Sequence, residues 1–156
     1  MRKIDIHSEG ISLPFENISK KNLKDIVISI FKILKIDNIE TAIIVTDNEY
    51  IKNINNEYRS KNYPTDVISF AQRDIPFPSV QNNIENLGDI FISIEKAEEQ
   101  SREYDITLND EMKRLLVHGI LHLIGYDHEK SGEDEEIMHR KEDEILKNLI
   151  ISKKNL

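Results

Sequence analysis

The stretch "VHGILHLIGYDH", Val117 to His128, holds three of the chain's five histidines. They stand at His118, His122 and His128, in the spacing H-x-x-x-H-x-x-G-x-x-H. The neighbours Leu115, Leu116, Val117, Ile120, Leu121, Leu123 and Ile124 form an apolar segment that reads as a helix. Residues four apart on a helix lie above one another on one face, so His118 and His122 can both reach one ion. Gly125 lets the chain turn sharply after the helix. His128 follows three residues later, in range to be a third ligand. Burying two bare imidazoles among so many aliphatic side chains would be costly. Three imidazoles and an open position form a catalytic zinc site, whereas structural zinc takes four protein ligands, mostly cysteines. The chain has no cysteine, so any metal must be held by imidazole, carboxylate and water.

Upstream of that helix, Thr107-Leu-Asn-Asp110 has the form of a capping box. Further out, "KIDIHSE" (Lys3 to Glu9) alternates like a strand, and "NLKDIVISIFKILKI" (Asn22 to Ile36) has helical apolar spacing with Ser19 as N-cap. "IETAIIVT" (Ile39 to Thr46) is a β-branched strand. Asp47 caps a helix through "NEYIKNINNEYR", with Ile51, Ile54 and Tyr58 on its inner face. "SKNYPTD" is a loop and "DVISF" (Asp66 to Phe70) a strand. Gln72 to Asn86 is the least regular part, "GDIFIS" (Gly88 to Ser93) is a strand, and Ser93 caps the next helix. Ser131-Gly-Glu-Asp134 opens a charged final helix with Ile137, Met138, Ile145 and Leu149 as its buried side. Four strands and about five helices in mixed order predict one α+β domain spanning 1–156, with a small mixed sheet and a metzincin-like His-bearing helix.

The 156 residues suffice for one core. Twenty-nine acids against 21 bases give a net charge of -8, which argues against a protein that coats nucleic acid through bulk charge. A small basic site remains compatible with that charge, because local charges dominate within a Debye length of about 8–10 Å. No apolar run reaches the roughly 18 residues that span a membrane. "MRKIDIHSEG" lacks the apolar core of a secretory signal, so the expected location is the cytoplasm, with no membrane partner.

The histidine spacing nearly matches the long zinc-protease signature H-E-x-x-H-x-x-G-x-x-H, but position 119 is Gly where the catalytic Glu would stand. A helix-interior Gly costs about 0.5–1 kcal/mol relative to Ala. Either it leaves room beside the metal for a substrate or strand, or it permits close helix packing. Asp127 can orient a ligating His or cap its own turn.

Together, three blocks carry a family resemblance. "HGILHLIGYDH" resembles the H-G-x-L-H-L-x-G-Y-D-H signature of the YbeY family, bacterial metal-dependent endoribonucleases of ribosomal RNA maturation. "NNEYRSKNYPTDVISF" (Asn55 to Phe70) and "LGDIFIS" (Leu87 to Ser93) are similar to two further blocks of that family. Asn62 and Ala71 depart from its usual Asp and Pro. The resemblance implies that His118, His122 and His128 bind one zinc ion and that Arg59 belongs to the functional site. It implies action on ribosomal RNA, notably the 3′ end of the small-subunit RNA, and work with ribosomal particles. A ribosomal protein or a GTPase is a candidate partner.

The residues supply chemistry for that reading. A guanidinium such as Arg59 can grip two phosphate oxygens as charge builds in a phosphodiester transition state. Lys61 is either a nearby point charge or a solvated loop lysine. The expected function is therefore a zinc-dependent, single-strand-directed endoribonuclease, with Arg59 and His118 in the catalytic set. Two alternatives stand beside it. One is a metallopeptidase, which needs a carboxylate supplied from elsewhere in the fold. The other is a ribosome-assembly factor in which zinc only supports the fold. His139 reads as a solvated residue and Met138 as core.

Overall fold

The computed structural model describes residues 1–74, 80, 81, 83–126 and 132–154, without the side chains of 74, 80, 81 and 151–154. Strand β1 is Arg2–Glu9, β2 Ile39–Thr46, β3 Val67–Ala71, β4 Val80–Gln81 and β5 Ile84–Ser93. Helix α1 is Lys20–Leu34, α2 Asn48–Arg59, α3 Ile94–Glu103, α4 Leu108–Leu123 and α5 Gly132–Lys154. The sheet runs β1-β2-β5-β3, with the two-residue β4 beside the start of β5. β1, β2 and β5 are parallel, and β3 is antiparallel to β5. This is the α+β architecture with a mixed sheet that the pattern of elements predicts, with one short strand added.

The central strand β2 buries every second residue from Ile39 to Val45, as a strand covered most heavily on one face does. Ile4, Ile43, Val45, Ile90 and Ile92 join Leu23, Val27, Ile30 and Phe31 of α1 and Met112, Leu116 and Ile120 of α4 in one core. Met138 and Ile145 of α5 complete it. Ile90 faces Gly119 of α4, while the next residue, Phe91, stacks on Tyr50 of α2 with ring centroids 6.5 Å apart. Successive strand residues point to opposite faces, so α2 and α4 cover opposite sides of the sheet.

Side chains that compete poorly in helix interiors sit at the helix starts. Ser19, Asp47, Ser93 and Thr107 each accept a hydrogen bond from the backbone N–H three residues on. Each such cap stabilises its helix by about 1 kcal/mol. Glu111, with a fully buried side chain, accepts two hydrogen bonds from Arg114, at 2.6 and 2.8 Å. That pairing is what makes a buried carboxylate tolerable.

Four expectations need correction. α1 stops at Leu34, two residues early, because Lys35 turns left-handed with φ 58°. β5 begins at Ile84, inside the segment expected to be irregular, because its first residues pair with β2 on one side and β4 on the other; Arg73 also holds Glu85 through Nε and Nη2 at 2.7 and 2.9 Å. Tyr58 is 62% exposed, and Asn55 takes the inner face of α2 instead. Ile137 is 46% exposed, and Glu142 lies buried between Met138 and Ile145 in its place. Ser131, the expected cap of α5, lies outside the described residues. Among the described residues no helix is long and apolar enough to cross a membrane.

Candidate active site

The site grows out of the last two turns of α4. Four-residue spacing stacks His118 over His122, their rings 4.7 Å apart at 71°. Their Nε2 atoms converge to 3.2 Å. Two nitrogens each about 2.0–2.1 Å from one tetrahedral zinc would stand roughly 3.3 Å apart. The pair therefore fits two corners of a zinc site, and imidazole is a suitable donor for that ion. Among the described residues no group of three or more His, Asp or Glu side chains is gathered to hold a metal. His128, the expected third ligand, and Asp127, its expected neighbour, lie outside the described residues.

Gly119 sets how deeply this part of α4 sinks onto the sheet. A Cβ placed there would stand 3.0 and 3.1 Å from Ile90 side-chain carbons and 3.2 Å from Ser69 Oγ. The missing side chain thus serves close packing of α4 against β3 and β5, and position 119 itself supplies no carboxylate next to His118. The helix then ends where sequence expects. Ile124 caps it, and Gly125 follows at φ +109°, a conformation that favours glycine. The carbonyl of Ile124, one of the acceptors a helix end leaves over, receives a hydrogen bond at 3.3 Å from Arg73. The guanidinium that pairs with Glu85 thus also ties down the turn beyond His122. That pairing lowers the Glu85 carboxyl below its usual range and raises Arg73.

Sequence reasoning missed Glu142. It sits on α5, 8% exposed, with Oε1 2.7 Å from His118 Nδ1. Its other oxygen is 3.8 Å from Nδ1 of His139, which is 69% exposed, as expected for a solvated residue. A legible signal existed. Glu142 interrupts the apolar stripe of Met138, Ile145 and Leu149 at helical spacing, and a carboxylate inside such a stripe needs a partner.

Arg59 is the last residue of α2 and is exposed, with no hydrogen-bond or ion-pair partner among the described residues. Lys61, two residues on, is exposed and likewise unpaired. The fold does not bring Arg59 into hydrogen-bond contact with the histidine pair. It does hold the arginine's surroundings. Asn55 donates its side-chain N–H to the carbonyl of Tyr63 at 2.9 Å, and its own carbonyl accepts from Lys61 N–H at 3.2 Å. Tyr58 lies edge-on to Phe70 of β3 at 5.4 Å. An aromatic ring is thereby held against the edge strand, and two cations that are unpaired among the described residues lie within three residues of it in the chain, a combination suited to nucleic acid.

The sequence model of the family described as "Endoribonuclease YbeY" matches residues 3–150 of this chain. The chain is 46% identical over 134 residues to the "Endoribonuclease YbeY" of Sulfurihydrogenibium sp., covering 86% of each. It is 42% identical over 149 residues to the protein of that name from Persephonella marina, covering 96% of this chain and 94% of the relative. The solution structure of TM1509 from Thermotoga maritima is similar, with a TM-score of 0.64 and 27% identity, covering 97% of this chain and 92% of that one.

Proposed function

The chain belongs to the endoribonuclease YbeY family, and from that premise we propose that it cleaves single-stranded RNA with one zinc ion held by His118, His122 and His128. Its substrate is ribosomal RNA, notably the 3′ end of the small-subunit RNA, during maturation and quality control of ribosomal particles in the cytoplasm. The observation that carries the metal reading is the 3.2 Å convergence of the two Nε2 atoms. When bound there, zinc supplies Lewis acidity to a phosphate oxygen and lowers the pKa of water.

The chain's own residues divide the remaining work. His118 and His122 present their nitrogens from one rigid helix. Arg59, exposed and unpaired, grips phosphate oxygens as negative charge develops on them. Tyr58 offers a base an aromatic surface whose orientation Phe70 fixes. With Gly119 packed on the sheet, α4 carries no carboxylate at the position next to His118 from which a proton could be passed to an amine leaving group. That suits a phosphodiester better than a peptide.

Purified protein incubated with single-stranded ribosomal RNA should cleave it, and chelator or His118→Ala should abolish cleavage. Activity that survives both treatments would sink the proposal. One feature favours a metallopeptidase instead. Among the described residues β3 pairs only with β5, so it is a sheet edge beside α4, and extended peptides pair with such edges. Zinc-dependent turnover of a peptide panel without RNA cleavage would establish that second reading over the first.

A further inference from the structure

We propose that Glu142 is a positioning residue: it holds His118 in the tautomer that carries its proton on Nδ1, so that the Nε2 lone pair faces His122. The zinc part of this inference rests on the metal reading above; the tautomer part stands without it. Three observations combine. The Oε1 to Nδ1 distance of 2.7 Å is that of a short, charge-assisted hydrogen bond. With the carboxylate oxygen as acceptor, the proton of this bond lies on Nδ1. Glu142 is 8% exposed between Met138 and Ile145, which are 1% and 0% exposed, so packing fixes its position as well as bonding. It stands on a different helix, 24 residues along the chain from His118.

The consequence reaches the far side of the ring. With Nδ1 protonated, Nε2 is an acceptor, and 3.2 Å away stands His122 Nε2. Without a metal, His122 can donate to that lone pair; with one, both lone pairs can turn to the ion. The carboxylate also fixes the orientation of the His118 ring, as carboxylates behind metal-bound imidazoles do. α5 is therefore part of the site through Glu142, although none of its described residues is placed as a ligand.

The test begins with metal-free protein at mildly alkaline pH, reading the imidazole nitrogens by proton–nitrogen NMR correlation. Wild type should show His118 with its proton on Nδ1. Glu142→Leu, which keeps the apolar packing and removes the acceptor, should move the proton to Nε2, and His139→Ala should not. If Glu142→Leu proves unfolded by circular dichroism, Glu142→Gln gives the same reading with partial loss of the Nδ1 form. Folded variants that keep the wild-type tautomer would overturn the proposal. Zinc affinity, measured by competition with a chromophoric chelator, should fall about 10–100-fold in Glu142→Leu, with Glu142→Asp in between. An unchanged affinity would overturn the positioning role towards metal. A wild type that locks the tautomer yet takes up no zinc would support the Glu142–His118 lock and remove the zinc reading instead.

Discussion

Ser69 in the edge strand donates its hydroxyl to the carbonyl oxygen of Gly119, 3.2 Å away and 50 residues further along the chain. That contact exists because α4 approaches the sheet closely at Gly119. Gly119→Ala sets two effects against each other. Helix propensity improves by up to about 1 kcal/mol. The added methyl meets the fully buried Ile90 at 3.0–3.1 Å, and overpacking a core costs about 1–3 kcal/mol. The expected outcome is a net loss of roughly 1 kcal/mol in chemical denaturation. A stabilised variant would show that α4 has slack against the sheet.

Asn55 is 1% exposed and holds the turn after Arg59 from beneath. Asn55→Ala leaves the Tyr63 carbonyl without its donor and should cost about 1–3 kcal/mol. Asn55→Asp should cost more, because its buried carboxylate faces a carbonyl oxygen it cannot bond. Urea denaturation ranks the two. Amide hydrogen exchange should quicken first at Lys61, whose N–H bonds to the Asn55 carbonyl. Equal losses from both substitutions would mean that packing rather than the hydrogen bond matters at Asn55.

Asn55 and Glu142 also mark where sequence stops being legible. Strand β2 is readable to the residue from its β-branched run, and α2, α3 and α4 to the residue or nearly so, because a capping side chain marks the start of each. The histidine pair was legible for the same reason: four-residue spacing on a helix is a local fact. What failed was long-range. Tyr58 looks like a core residue by period, yet the inner face goes to Asn55, whose partner lies in the following loop. Glu142 breaks an apolar stripe and so calls for a partner, but only the packing of α5 on α4 reveals that the partner is His118. β5 extends to Ile84 because it pairs there with β2 and β4, which no local pattern announces.

Asp89, on β5 between Ala42 of β2 and Phe70 of β3, predicts a pH dependence. Burial raises its carboxyl above the ordinary aspartate value, and nearby His7 only partly opposes this. The folded state therefore binds this proton more tightly than the unfolded chain. As pH rises from the ordinary value through the raised one, the unfolded chain gives up its proton first and stability falls. Above that window the penalty is complete. Asp89→Asn should therefore raise the melting temperature at neutral pH, and the gain should vanish on acidification below the ordinary aspartate pKa. A gain independent of pH would place its cause elsewhere.

Arg59 separates the nuclease reading from simple RNA binding. Its guanidinium is exposed and unpaired among the described residues, so removing it breaks no structural contact and stability should be unchanged. If it meets charge that develops only in the transition state, Arg59→Ala should lower single-turnover RNA cleavage about 10²–10³-fold, as loss of one such electrostatic donor does. RNA affinity should fall far less. Arg59→Lys should recover part of the rate, because an ammonium keeps the charge but loses the two-pronged grip. Lys61→Ala is the comparison, since a cation that only meets phosphate in the ground state shifts affinity and its salt dependence. Should Arg59→Ala lose affinity and rate in equal proportion, the arginine binds RNA without favouring the transition state, and catalysis falls to the histidine site alone.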